Sequence, residues 1–321
     1  MTAGLLVNPG SARGSGPGLD LARRLQGRTG VEIRILDRFE ALSDHLREMA
    51  AAGVSTLFIS SGDGTVQAVQ TLLGEDSPFP RPPRLALLPH GTTNMDAGDV
   101  GFRVPSLDRV AEIIASGDQL QRATHVKRRY TLRAVNPRGR PPQHGMFLGI
   151  GALAHAARQT QRDMNRRGIG GQIAPAMQLI RSVAKFLFVP PNPQDVDRID
   201  RPYRIEVQGD GVGRAQGDML LALVTTLDKL VLGSRPFWDH DSKPLRATTV
   251  AYPPPNLLRY LVPVMYGSHT GRTAPGCTSF GAKVVEARFE GPFLIDGEFF
   301  EAPEDDFLRI EAGIELEYLC G

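Results

Sequence analysis

The chain has 321 residues, 41% hydrophobic and 22% charged, with a formal net charge of +2. These values exclude a disordered segment, and so small a net charge leaves no electrostatic footprint for nucleic acid. Two cysteines, Cys277 and Cys320, with no CxxC spacing, support neither a disulfide framework nor a zinc site and fit a reducing cytosol.

In chain order, the first 120 or so residues alternate between strand and helix patterns. Gly4–Val7 is a short apolar strand, and the opening MTAGLLVNPG reads as that strand rather than as a signal peptide. A Gly/Ser-rich loop follows, then a helix around Leu19–Leu25, a strand at Val31–Leu36 and a helix over Phe39–Ala52. Thr56–Ser60 is a strand, Thr65–Leu73 a helix, Leu85–Leu88 a strand and Leu107–Ala115 a helix. Such alternation predicts a Rossmann-like parallel sheet wrapped by helices, with ligands outside the carboxyl ends of the strands. The polar, glycine-bearing segments fall at those ends.

From about Ala123 the texture changes to short strands separated by Gly/Pro turns: Arg129–Val135, Gly145–Gly149, Tyr203–Val207, Met219–Thr225, Thr248–Ala251, Lys283–Phe289 and Phe307–Glu311. One helical block, roughly Ala152 to Leu187, interrupts them. The pattern predicts a nucleotide-type α/β domain over 1–122 and an antiparallel, β-sandwich-like domain over 123–321. No run of roughly 18 apolar residues occurs, so no membrane-spanning helix is expected.

Four segments carry candidate chemistry. Ser60-Ser61-Gly62-Asp63-Gly64-Thr65 joins a strand to a helix. Its glycines let backbone N–H groups approach phosphate oxygens, the helix N-terminus adds positive potential, and Asp63 can hold Mg²⁺ or orient a hydroxyl. The same residues also suit a plain βα turn. Leu88-Pro89-His90-Gly91-Thr92-Thr93-Asn94 again follows a strand, with small hydroxyl and amide side chains suited to phosphate or ribose, or to capping a helix. Asn8-Pro9-Gly10-Ser11-Ala12-Arg13-Gly14-Ser15-Gly16 follows the first strand and lacks the Gly-Lys-Ser/Thr ending of a P-loop. Leu294-Ile295-Asp296-Gly297-Glu298 is either a hairpin turn or a pair of carboxylates, one serving as general base.

In this order the four segments resemble the diacylglycerol kinase catalytic family, which includes sphingosine kinases, ceramide kinases and bacterial soluble lipid kinases. Its pattern is Asn-Pro-x-Ser-Gly, Gly-Gly-Asp-Gly-Thr, Pro-x-Gly-Thr-x-Asn and a late Asp-Gly-Glu. Phe147-Leu148-Gly149-Ile150-Gly151 is similar to the family's glycine-bearing strand opening the second domain. The resemblance implies an active site in a cleft between the two domains. It implies that Asn8, Pro9 and Ser11, then Ser61, Gly62, Asp63, Gly64 and Thr65, then Gly91, Thr92 and Asn94 bind ATP. It implies further that Glu298 accepts the proton of a lipid hydroxyl beside Asp296, and that Mg²⁺ is held at Asp63. Bacterial members carry an Asp-Gly beside a structural Mg²⁺ site; the corresponding segment here offers Asp241, with no glycine after it.

The chain departs from the pattern at Ala12, where Gly is usual, at Ser61, as sphingosine kinases also do, at Gln67-Ala68, where Asn-Glu is usual, and at Met95. The activity implied is transfer of the γ-phosphoryl group of ATP to a hydroxyl of a diacylglycerol-, sphingoid- or related lipid. A kinase acting on NAD and a catalytically silent nucleotide or lipid binder are the alternatives. A cytoplasmic chain, peripheral at the inner membrane face, is expected. Arg158, Arg162, Arg166 and Arg167, the preceding Lys127, Arg128, Arg129 and Arg133, and the amphipathic Ile173–Val189 suggest a membrane-leaning face, or a solvated one over a core helix. Nothing in the sequence sets an oligomeric state.

Overall fold

The computed structural model describes residues 2–12, 16–91, 94–103, 106–116, 125–167, 201–211, 213–238, 243–255, 257–266 and 274–321. They divide into two compact units, Met1–Thr131 with Ile314–Gly321, and Leu132–Gly313. The sequence places the division at 122/123. The structure places it within a strand ten residues long, and returns the last eight residues to the first unit, because those residues pair with its sheet.

The first unit is a parallel sheet. Its strands are β1 (Thr2–Val7), β2 (Val31–Ile35), β3 (Val54–Ser61) and β4 (Arg84–Pro89), in the order β2-β1-β3-β4. The end of the C-terminal strand joins β4 in parallel, with Tyr318 opposite Leu85. The inner strands β1 and β3 are buried along nearly their whole length, whereas edge strand β2 is only partly buried. Helices α1 (Gly16–Leu25) and α5 (Leu107–Ala115) share a buried cluster with Leu5, Val7, Phe58, Ala86 and Leu88. Helices α2 (Leu42–Ala51) and α3 (Asp63–Glu75) also pack on β3. Both α1 and α5 bury the periodic apolar positions of their sequences, Leu21 and Leu25 in one and Val110, Ile113 and Ile114 in the other. A short α4 (Met95–Val100) follows β4. Tyr318 is fully buried, and its hydroxyl accepts from Gln70 of α3 at 3.1 Å.

The second unit is antiparallel. It contains the end of β5 (His125–Ala134), then β6 (Gln143–Gly145), β7 (Phe147–Gly151), α6 (Ala152–Arg167), β8 (Tyr203–Gly209), β9 (Arg214–Thr225), β10 (Leu245–Ala251) and α7 (Leu257–Tyr266). It is completed by β11 (Cys277–Ala282), β12 (Val284–Phe289), β13 (Pro292–Ile295), β14 (Glu298–Glu301) and the start of β15 (Leu308–Cys320). Strand β9 is the branch point. Its first half pairs with β8, and its second half with β7 on one side and β10 on the other. Gly217, at φ +134°, takes up the change of direction where an L side chain would be strained. From β8 the ladder continues through β12 to β15, and from β7 through β13 to β14. Residues of both branches, among them Ile205, Val207, Val224, Ala247, Val285, Phe293 and Ile310, form one buried cluster, as expected of two sheets facing across a shared core.

Sequence patterning missed β11, β13, β14 and α7, and it ended the last strand at Glu311. Helix α7 carries Pro263 in its interior, and β13–β14 is a hairpin only four residues wide on each side. The predicted helical block begins where expected, at Ala152; its continuation over 173–189 lies outside the described residues. Among the described residues no helix is long and apolar enough to cross a membrane.

Phe293 is fully buried and packs edge-on against Phe289 at 5.9 Å, with Phe300 at 5.8 Å. Phe293→Ala should cost about 3–5 kcal/mol of stability, read from urea unfolding midpoints. A loss below about 1 kcal/mol would place this ring outside the core.

Candidate nucleotide site and the Asp-Gly-Glu hairpin

Three of the four candidate segments meet at the carboxyl ends of β1, β3 and β4. After β1, the Asn8 amide donates from Nδ2 to the Thr65 hydroxyl at 2.8 Å, its Oδ1 accepts from Gly10 N–H, and its backbone N–H donates to Ser60 C=O at 3.1 Å. Asn8 thus ties the first loop to the second. After β4, the Asn94 side chain closes its own loop, accepting from Gly91 N–H and donating to Gly91 C=O, both at 2.7 Å. Asn94 has φ +51°, a conformation that asparagine tolerates because its short amide bonds locally. A Cβ at Gly91 would overlap the Gly62 Cα, so the two backbones touch only because Gly91 is glycine.

Asp63 opens α3, with Gly62 as the extended N-cap residue. Its Oδ2 accepts from Met95 N–H at 3.1 Å, and the backbone N–H groups of Asp96 and Asn94 also act on it. The carboxylate of the second loop therefore satisfies donors at the start of α4, which no side chain of α4's own cap residue supplies. Burial raises the Asp63 pKa to about 6, against the opposing pull of those amides. Ser61 is 3% exposed, and its hydroxyl has no hydrogen-bond partner among the described residues. A buried hydroxyl without a partner is uncommon and can serve a bound group at this glycine-rich strand-to-helix turn. Gln67 is buried and donates to Thr71 within its own helix, so it faces helix packing.

In the second unit, Asp296 and Gly297 form the two-residue turn between β13 and β14, with Ile295 paired to Glu298. Both turn residues have positive φ, +46° and +91°, the combination of a type I′ hairpin. The Asp296 side chain is 1% exposed, and its oxygens accept from Met146 N–H and Phe147 N–H, each at 2.8 Å. Gly145 leaves room for this, since a Cβ there would overlap Ile295 and crowd the Asp296 carboxylate. The segment forms the hairpin turn: Asp296 anchors it, and Glu298 stands exposed at the first position of β14.

Two site residues outside the sequence-based set are Ser60 and His90, joined by a 2.8 Å contact from the Ser60 hydroxyl to His90 Nδ1. Both lie inside the quoted motifs; neither hydroxyl nor imidazole at these positions belongs to the repeating pattern, so no sequence signal singled them out. Thr92, Asp241 and the stretch 173–189 lie outside the described residues, as do the side chains of Ser11, Arg162, Arg166 and Arg167. Arg158 lies over the Phe299 ring at 5.1 Å. The basic run at 127–133 is a strand, not part of a helical face, and its charge is met within the protein: Lys127 and Arg129 lie 3.6 and 3.5 Å from the Asp99 carboxylate, Arg128 3.0 Å from Glu317, and Arg133 2.9 Å from Glu311. Among the described residues no three metal-ligating side chains cluster.

Residues 2–126 match the family model of the diacylglycerol kinase catalytic domain. The matched residues all lie within the first unit. No sequence match is found among curated proteins. Two solved structures of the same fold, from Bacillus anthracis str. Sterne, are described, provisionally, as those of a diacylglycerol kinase; each is 17% identical, with 99% of this chain and 96% of that one covered, at TM-scores of 0.64 and 0.63. A third from the same organism, described as a diacylglycerol kinase, is 16% identical with the same coverage and a TM-score of 0.58.

Two outcomes test the geometry. Gly91→Ala should destabilise by about 1–3 kcal/mol through the Gly62 contact, whereas Gly98→Ala, where a Cβ meets nothing within 4 Å, should be neutral or stabilising by up to about 1 kcal/mol; equal melting temperatures for the two variants would contradict the close approach. Folded Asp63 keeps its proton to about pH 6, whereas the unfolded group releases it near 3.8. Asp63 therefore makes stability fall as pH rises between those values, by up to about 1.4 kcal/mol per pH unit. Asp63→Asn should flatten that part of the stability–pH profile; an unchanged profile would assign the slope elsewhere.

Proposed function

We propose that the protein is an ATP-dependent kinase that transfers a phosphoryl group to a hydroxyl of a diacylglycerol-, sphingoid- or related lipid. The observation that carries this reading is the convergence of Asn8, Ser61, Gly62, Asp63, Thr65, Gly91 and Asn94 on one strand edge, with a glycine contact that a Cβ would fill and an orphan buried hydroxyl beside it. Backbone N–H groups at the start of α3 and the Ser61 hydroxyl receive phosphate oxygens, and Pro9, Ser11, Gly64 and Thr92 complete the loops. The family match over the same residues supports the assignment.

Asp63 fits Mg²⁺, a cation that takes one or two protein carboxylates together with substrate phosphates and so needs no three-residue cluster. When bound it neutralises charge on the transferring group. Asp241 is a second candidate ligand. Glu298, held at the hairpin by the buried Asp296, accepts the proton of the lipid hydroxyl as that oxygen attacks the γ-phosphorus and the bond to the departing ADP breaks. A lone carboxylate is a weak base toward an alcohol, so positioning supplies most of the acceleration. Asp296 acts here as a positioning residue, because both its oxygens are engaged by backbone amides. Gln67 and Ala68 stand where a kinase acting on NAD normally carries Asn-Glu, which disfavours that reading.

The test is radiolabelled ATP with diacylglycerol, sphingoid bases, phosphatidylglycerol and isoprenoid alcohols in mixed micelles. Metal-dependent label transfer to one class is expected, with Glu298→Gln lowering kcat by about 10²-fold or more while ATP affinity is retained. An ATP thermal shift without turnover on any acceptor would make the protein a silent binder. A wild-type rate in Glu298→Gln would remove Glu298 from its role.

A further inference from the structure

The Ser60–His90 pair has no part in the roles above, and the inference drawn from it rests on the proposed nucleotide site. Ser60 is fully buried at the end of β3, and its only hydrogen-bond partner through the hydroxyl among the described residues is His90 Nδ1, at 2.8 Å. The first turn of α1 closes over the same point, since a Cβ on Gly18 would overlap the Ser60 oxygen and come within 2.9 Å of Val7. A fully buried hydroxyl must place its hydrogen on an acceptor, and Nδ1 is the acceptor in reach. Ser60 therefore donates to Nδ1, and the ring hydrogen resides on Nε2. Accepting this bond requires an unprotonated Nδ1, and burial of the ring acts in the same direction, holding the His90 pKa below its ordinary value. His90 is half-buried, and no described residue accepts from Nε2.

A neutral ring whose Nε2–H is bonded to no described residue can meet an acceptor and cannot serve a cation. Its chain neighbour is Gly91, whose backbone touches the Gly62 turn, and Ser60 abuts the N-terminal turn of α1, a ten-residue helix whose positive end favours anions. We propose that His90, oriented by Ser60, is a nucleotide-binding residue that donates from Nε2 to a phosphate oxygen of a nucleoside polyphosphate. This would give the third loop a side-chain donor in addition to its backbone.

The test is competition of ATP and of adenosine against a fluorescent adenine nucleotide, on the full chain, for wild type, H90A, H90Q and S60A, with thermal melting of each variant as a check of folding. H90A should weaken ATP by about tenfold or more, the effect of losing one hydrogen bond to a charged group, while adenosine binding is unchanged. H90Q, which returns an N–H donor, should recover most of the loss, and S60A, which frees the ring, should weaken ATP by a smaller factor. If H90A fails to fold, the S60A loss and its restriction to ATP decide the matter. Unchanged ATP affinity in H90A and S60A, or an equal loss for ATP and adenosine, would overturn the role of His90 while leaving the nucleotide site standing. Wild-type protein that binds no ATP would overturn the nucleotide site, and His90 with it.

Discussion

The first unit depends on one bond set: the Asp63 carboxylate meeting the backbone amides at the start of α4. Parallel strands offer their carboxyl-end loops no direct pairing with one another, so something must hold those loops in register. Here a half-buried acid from the loop after β3 satisfies donors presented by the loop after β4, and Gly91 lets the two backbones come close enough for it. Asn8 extends the link to the loop after β1 through Thr65. The cost is visible in Asp63 itself, whose charged form is disfavoured by burial. A cation or the amides of α4 relieve that cost, which makes this carboxylate responsive to what binds beside it.

The second unit repeats the device with different parts. Asp296 sits in a two-residue turn and spends both oxygens on amides at the entry to β7. A hairpin of four-residue strands is marginal alone; anchoring its turn to another strand fixes the direction in which Glu298 leaves it. In both units an aspartate beside glycine holds a loop by accepting backbone hydrogen bonds.

Much of the first unit was legible because its signals are local. Apolar runs at β1, β3 and β4 and the 3.6-residue periodicity of α1, α2 and α5 each lie within a dozen residues, and the loop motifs sit at strand ends where parallel sheets place ligands. The second unit was less legible. The strands Pro292–Ile295 and Glu298–Glu301 are too short to show period-two alternation, and Leu257–Tyr266 carries Pro263, a residue that argues against a helix interior. The basic residues at 127–133 were read by their charge alone, whereas their partners Asp99, Glu311 and Glu317 are distant in sequence.

From sequence alone came the strand–helix alternation, the order of the glycine-bearing loops and the resemblance they carry, because propensity, periodicity and turn chemistry act over a few neighbouring residues. The tertiary structure alone decided that Asp63 binds amides across two loops, that Asp296 is buried in its own turn, that Ser60 orients His90, and that the final strand returns to the first unit. Each of these is a contact between residues 30 or more positions apart in the chain or a choice between burial and exposure, and no local pattern encodes which of two chemically competent groups will be turned inward.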